Sequence, residues 1–457
     1  MATVSQTIDR ARVRELTERE RAKLLARTEG SQAYFDRARA VMPRGVPSSF
    51  QAADPRPIYL SHGEGSRVWD VDGNEYVDFH NGFGVMCVGH AHPAIVRAVS
   101  ERAARGSHFA APTEGSIVVA EELKRRFGLP WWRFTNSGTE STMDAIHLAR
   151  AATGRDVVLK IEGSYHGHHD AVMVSVRPPL AQLGARGVAG SVPFGAGHPR
   201  AVSALTRAIP FNDADVLEHV LDEMDCVAAL ILEPAMMNIT IVAPRPGYLE
   251  RVRELTARHG VVLIFDEVKT GMTIAAGGAV ERFGVTPDVV CLAKAVAGGY
   301  PSGAIGMTGE LADLIETGAV RQVGTFNGNP LSMAAAQTTL TEVLTPDAYA
   351  RFAAQDERLR GGLEDVIARY GLPCHTAGLG SKGCVVFASE PLYEYRDYAT
   401  KVDEELSTLS WLYHMNHGIF MTPGVDEQWT LSVAHEDADL DRYVDAFEAF
   451  ARDVTRA

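Results

Sequence analysis

The chain has 457 residues, beyond the usual size of one domain, and its 46% hydrophobic and 22% charged residues are those of a folded protein, not a disordered one. Its 44 basic and 58 acidic side chains leave a net charge of −14, which argues against non-specific nucleic-acid or membrane-surface binding but leaves room for a local basic pocket around one phosphate. Apolar runs such as 227–232 and 261–265 suit buried strands and fall well short of a membrane span.

Residues 1–42 read as one or two charged amphipathic helices, stopped by Met42-Pro43-Arg44-Gly45. Their arginines are mixed with Asp9, Glu15, Glu18 and Glu20 and contain no apolar core, unlike a secretory or transit segment. Residues 66–79 alternate in polarity, turn at Asp72-Gly73-Asn74 and alternate again, which predicts a β-hairpin. From about 85 to 320, apolar runs at 157–161, 227–232, 261–265 and 289–292 alternate with helical stretches. That order predicts an α/β fold with a mostly parallel sheet covered by helices on both faces. The Gly-, Pro- and Ala-rich stretch 178–198 reads as a loop. After about 335 come a helix, a glycine-rich passage at Gly378-Leu379-Gly380, a strand over 383–388 and a terminal acidic helix, the parts of a smaller α+β domain. The expected division is therefore 1–84, 85–335 and 336–457. Five cysteines with no C-x-x-C pair suit reduced thiols, so the cytoplasm is the expected compartment.

Three passages carry chemistry. Phe134-Thr135-Asn136-Ser137-Gly138-Thr139-Glu140 opens a helical stretch, and a small polar turn there aims free backbone N–H groups and hydroxyls at one point, as a phosphate cradle does. A simple N-cap fits the same residues. The apolar run 261–265 ends in Asp266 and Glu267, at the strand end that faces the ligand crevice in open α/β sheets, although a solvated carboxylate in a loop would look the same. A third apolar run, 289–292, ends near Lys294 and a Gly298-Gly299 turn. An amine in an apolar setting has a lowered pKa and can act as a nucleophile, whereas a lone lysine at a strand end is more often simply solvated. Amine, acid and phosphate turn together are the parts of a pyridoxal phosphate site. The run Tyr165-His166-Gly167-His168-His169 invites a metal reading, but no second ligand cluster accompanies it, and no metal is expected.

Together with Gly163-Ser164-Tyr165-His166-Gly167-His168, Ile231-Leu232-Glu233-Pro234 and Gly324-Thr325-Phe326-Asn327-Gly328-Asn329-Pro330, these strings resemble the class III aminotransferases of the fold-type I pyridoxal-phosphate enzymes. Within them the chain is most similar to the glutamate-1-semialdehyde 2,1-aminomutases, from about residue 42 to 435. The lysine follows the acid by 28 residues (294 − 266), the spacing such enzymes use. The resemblance implies that Lys294 holds the cofactor as a Schiff base and shuttles a proton, and that Asp266 pairs with the pyridine nitrogen. It further implies that Val268 and Tyr165 pack on the two ring faces, with His166 beside them. Ser137, Gly138 and Thr139 would hold the phosphate, Asn238 would donate to the phenolic oxygen, and Thr325 would reach the phosphate of a neighbouring subunit, so a homodimer is expected.

The substrate end departs from the pattern. The aminomutases place a serine and, three residues on, an arginine after the Met-Pro turn; here Ser48 matches, but Gln51 stands at the arginine position and cannot supply a bidentate charged fork. Phe83 stands where the family has a tryptophan, while Glu427 retains the acidic residue near the C-terminus; Arg44 could supply a displaced carboxylate contact. The expected activity is transfer of an amino group from an amine or amino acid to a keto or aldehyde acceptor. Intramolecular amino transfer of the aminomutase kind is the alternative.

Overall fold

In the computed structural model, which describes residues 8–422 and 428–456, the chain divides into two units. One comprises Met1–His92, Ala350–Pro391 and Lys401–Ala457; the other comprises Pro93–Tyr349 and Leu392–Thr400. The N-terminal and C-terminal parts of the chain thus share a unit, apart from the short excursion Leu392–Thr400.

The first unit begins with helices Arg10–Arg27 and Glu29–Arg39. Asp9 caps the first helix by accepting from the Ala11 amide at 2.9 Å, and Val13, Leu16 and Leu24 form its buried stripe, against helix Glu404–Asn416. Strands β1 (Leu60–Glu64), β2 (Arg67–Asp70) and β3 (Glu75–Asp78) follow, and β2 and β3 form the expected hairpin, with Val68 opposite Tyr76. Its turn is closed by Asp70, whose Oδ1 accepts from the amides of Asp72 (3.0 Å) and Asn74 (2.8 Å).

The second unit is built on a seven-stranded sheet: β4 (Trp131–Thr135), β5 (Val157–Ile161), β6 (Thr206–Ile209), β7 (Val227–Leu232), β8 (Val262–Asp266), β9 (Val289–Leu292) and β10 (Gly303–Met307). The spatial order is β4-β10-β9-β8-β7-β5-β6, and β10 alone runs antiparallel, between β4 and β9. All six residues of β7 and all five of β5 and β8 are buried, as strands covered on both faces must be. Helix Gly138–Thr153 buries Ala145, Ile146, Leu148 and Ala149 in one core with Val158, Ile231, Ile264 and Ile305. Because β4, β5, β7, β8 and β9 run the same way, the segments that follow them emerge at one edge of the sheet.

The C-terminal strands return to the first unit: β11 (His375–Leu379), β12 (Lys382–Val386) and β14 (Gln428–Thr430) form an antiparallel sheet, while β13 (Ile419–Phe420) adds in parallel to β3. The terminal helix is Asp437–Thr455. No helix among the described residues is long and apolar enough to cross a membrane.

Candidate active site

Asp266 is the last residue of β8, opposite Cys291 in the ladder, and only 4% exposed. Both its oxygens are engaged: Oδ1 accepts from the Val268 amide at 3.0 Å and Oδ2 lies 2.7 Å from His166 Nδ1. Val268 lies beyond the end of β8, at the start of a turn, and its amide is held by the aspartate itself. The turn brings Val268 against the start of helix Gly138–Thr153, where a Cβ on Gly138 would lie 2.8 Å from Val268 Cγ2.

Lys294 follows β9 in a left-handed conformation, φ +48°, which a side chain with a Cβ adopts only where its surroundings hold it. Burial pushes its amine below the ordinary lysine value, against the opposing pull of Asp266 and Glu233. Glu233, just past β7 and 3% exposed, accepts from the Tyr165 amide (Oε1, 3.0 Å) and the Met237 amide (Oε2, 2.8 Å). It thereby joins the segment after β5 to the loop that carries the half-buried Asn238. The Tyr165 phenol is itself half-buried, and burial, with a contribution from Asp266, raises its pKa.

The turn after β4 combines both readings of its sequence. Ser137 is the N-cap, its hydroxyl accepting from the Glu140 amide at 3.2 Å, and an accepting hydroxyl keeps its own hydrogen to donate. Gly138 and Thr139 begin the helix, where amides have no intrahelical acceptor. Thr139 Oγ1 lies 3.1 Å from His168 Nδ1. Asn136 Nδ2 donates to Asn327 Oδ1 at 3.0 Å and so fixes the 324–330 loop, on which Thr325 stands exposed.

Glu267, left without a role by the sequence, is fully buried and points away from this group. It accepts from the amides of Ala279 (2.6 Å) and Val280 (3.3 Å) and from Thr270 Oγ1 (2.9 Å), and burial pushes its carboxyl up to about 7. The histidine run is dispersed over three partners: His166 meets Asp266, His168 meets Thr139, and His169 meets Thr142. Among the described residues no group of His, Cys, Asp or Glu side chains is arranged to hold a metal ion.

Of the residues expected to choose the substrate, Ser48, Gln51 and Phe83 lie in the first unit. Ser48 and Gln51 form a capping box, in which Gln51 Oε1 accepts from the Ser48 amide at 3.2 Å, so the glutamine side chain is turned back on its own loop. Phe50 of that loop meets Phe83 edge-on, with ring centroids 6.2 Å apart. Arg44 is exposed in a left-handed turn, and Glu427 lies outside the described residues.

These residues fit pyridoxal phosphate. His166 Nε2 is buried with no partner among the described residues, the Gly138–Val268 approach leaves no space for a side chain, and an amine, a carboxylate and a helix start converge at one sheet edge. The sequence profile of the Aminotransferase class-III family matches residues 49–401. A glutamate-1-semialdehyde 2,1-aminomutase of Brevibacillus brevis is 38% identical over 424 residues, which cover 92% of this chain and 97% of the relative. Among solved structures, a glutamate-1-semialdehyde-aminomutase from Pseudomonas aeruginosa in complex with PMP superposes with a TM-score of 0.90 at 31% identity, covering 98% of this chain and 99% of that one. An omega-transaminase from Sphaerobacter thermophilus superposes with a TM-score of 0.86 at 35% identity, covering 93% and 97%.

Proposed function

The chain belongs to the class-III aminotransferases and is a pyridoxal-phosphate-dependent enzyme, and from that premise we propose that it moves an amino group from an amine or amino acid to a separate keto or aldehyde acceptor, with Lys294 as the working amine. The observation that carries the reading is the pairing of Lys294, desolvated after β9, with a buried and fully oriented Asp266 at the end of the adjacent β8.

When bound, the cofactor supplies an electron-withdrawing ring that stabilises negative charge on the substrate carbon. The protein's residues do the rest. Lys294 Nζ would supply the amine that holds the cofactor and would carry the proton, and the burial that lowers its pKa favours the neutral form that can accept one. Asp266 keeps the ring nitrogen protonated, and His166 and the Val268 amide fix the direction in which its oxygens point. Val268 and Tyr165 would pack on the ring. Ser137, Gly138 and Thr139 receive the phosphate, and Asn238 donates to the ring oxygen.

Assembly as a homodimer completes the site through Thr325. Phe109, Ile117, Val323 and Phe326, exposed apolar side chains of the same unit, support an interface there; Val323 is 80% and Phe326 56% exposed. A cytoplasmic enzyme suits five free cysteines.

We assign Ser48, Gln51, Phe83 and Glu427 to substrate choice. With no guanidinium at Gln51, neutral or amine-bearing substrates are favoured over glutamate semialdehyde. The aminomutase reading is supported by the names of the relatives and weakened at Gln51 and Phe83. Two measurements test the proposal. Borohydride reduction of the yellow holoenzyme fixes the cofactor on Lys294, and a label on Lys269 instead refutes the site. Isotopically labelled donors assayed with pyruvate and 2-oxoglutarate reveal transfer between molecules, and efficient conversion of glutamate semialdehyde to 5-aminolevulinate makes the aminomutase reading the correct one.

A further inference from the structure

A second buried lysine takes no part in the reading above. Lys160 interrupts the otherwise apolar strand Val157–Ile161 and is 0% exposed. Its Nζ donates to three backbone carbonyls, those of Ser164 (2.8 Å), Val172 (3.2 Å) and Val174 (2.6 Å). Three acceptors match the three N–H bonds of an ammonium group, whereas a neutral amine would turn its lone pair on one of them.

The chain between the first and last of these carbonyls carries Tyr165 at its start, then His166, whose Nδ1 meets Asp266 Oδ2 at 2.7 Å. Glu233 grips the same segment from β7 through the Tyr165 amide. The titratable groups of the surrounding elements are Glu233 after β7, Asp266 on β8, Lys294 after β9, and Tyr165, His166, His168, His169 and Asp170 on the gathered segment itself. Burial lowers the pKa of the Lys160 amine against the opposing pull of Glu233 and Asp266, and the balance of the three leaves it at about 7. The same two carboxylates oppose the desolvation of Lys294, so two buried lysines share two buried acids.

We propose that Lys160 is a positioning residue of the active site: its ammonium group gathers residues 164–174 so that His166 meets Asp266, and it offsets part of the Glu233 and Asp266 charge that Lys294 also faces. The inference rests on the assignment of Lys294 and Asp266 made above.

The test compares two holoenzyme variants. Lys160→Met keeps an unbranched apolar stem one atom shorter than lysine and loses the charge and all three bonds. With less positive charge near Glu233 and Asp266, the protonated form of the Lys294 nitrogen is favoured, so the visible band of the bound cofactor should titrate about half a pH unit higher or more. Turnover should fall about tenfold, with the Michaelis constant for the amino donor changed less than about threefold. Thr206→Val is the control: it removes a neutral bond from Thr206 Oγ1 to the carbonyl of Ala171 (2.7 Å) in the same segment, and should lower the melting temperature while leaving the titration and turnover near wild type. If Lys160→Met gives no soluble protein, Lys160→Gln, which keeps two N–H donors on a shorter arm, is read the same way. A Lys160 variant that titrates and turns over like wild type overturns the inference, and so does a Thr206→Val variant that reproduces the Lys160 changes. A borohydride label on Lys160 in the wild-type protein would refute the Lys294 assignment itself, whereas a label on Lys294 with an unmoved titration refutes only the role of Lys160.

Discussion

Gly138→Ala should cost the protein its cofactor affinity, for a reason readable from two side chains. Gly138 does not need glycine for its backbone, which is helical and not left-handed, so alanine there would otherwise stabilise by about 0.4–1 kcal/mol through the unfolded chain. The added Cβ, however, would lie 2.8 Å from Val268 Cγ2 and 3.0 Å from Cγ1. Carbon atoms rest at about 3.5–4.0 Å, so the overlap is roughly 0.5–1.2 Å. Val268 cannot swing clear: it is branched at Cβ, and its amide is tied to Asp266 Oδ1. Overpacking of this kind costs about 1–3 kcal/mol, which leaves a net loss of about 0–2.6 kcal/mol, centred near 1.3, after the backbone gain. The helix start must draw back from Val268 and carry with it the amides proposed to receive the phosphate, so the loss should appear as roughly tenfold weaker cofactor binding. Titrating the apoprotein with pyridoxal phosphate and following the visible band measures it. The decisive comparison is with Val268→Ala: on that background Gly138→Ala should be close to neutral, a coupling of about 1 kcal/mol or more. Wild-type affinity in Gly138→Ala, or an equal loss in both backgrounds, would refute the close-approach argument.

Four further outcomes follow from the same site. Asp266→Asn keeps the shape but not the charge, and turnover should drop by about 100-fold or more while the cofactor stays bound; turnover near wild type would show that the ring proton is held elsewhere. Glu267, with its carboxyl raised to about 7 from 4.5, gives a folded chain that binds more protons than the unfolded one between those values. The stability of the wild-type protein should therefore fall as pH rises through that window, by up to about 3 kcal/mol, and thermal melts of Glu267→Gln should lack this slope. Gln51→Arg, at the cost of the capping bond to the Ser48 amide, should lower the Michaelis constant for carboxylate-bearing substrates relative to neutral amines; an unchanged ratio would remove Gln51 from substrate choice. Phe326→Asp should lower both the sedimentation coefficient and the activity together, whereas a fully active monomer would contradict a site completed by Thr325 across an interface.

Several strands buried on both faces were legible in the sequence as short, mostly apolar runs: Val157–Ile161, broken by Lys160, Val227–Leu232 and Val289–Leu292 lie where the runs predict, and β8 is displaced by one residue to include Asp266. The strands that escaped notice had other demands on their residues. β4 and β6 are the outer strands of the sheet, and β4 alternates exposed with half-buried positions. β10 contains two glycines, a composition that weakens its strand signal, and the structure supplies the reason: a Cβ on Gly306 would lie 2.6 Å from the Trp132 ring. The residues assigned here to the chemistry stood out in the sequence for a different reason. Lys294, Asp266 and the Ser137–Thr139 turn each end an apolar run or open a helix, and such punctuation survives without any knowledge of what stands opposite.

What stands opposite was decided by tertiary structure alone. Asp266 and Glu267 are adjacent in sequence and alike in charge, yet one is oriented by His166 and the other spends its oxygens on the amides of Ala279 and Val280. Glu233 was visible only as part of a motif, and its grip on the Tyr165 amide depends on β7 and β5 being neighbours. Lys160 offered a signal that could have been followed, a lysine within a run of aliphatic residues, but its three carbonyl partners come from a chain segment that returns to it only in the folded protein. Hydrophobic pattern depends on local spacing and can be read along the chain. The satisfaction of a buried charge depends on which distant groups the fold brings within about 3 Å of it, and only the assembled sheet determines that.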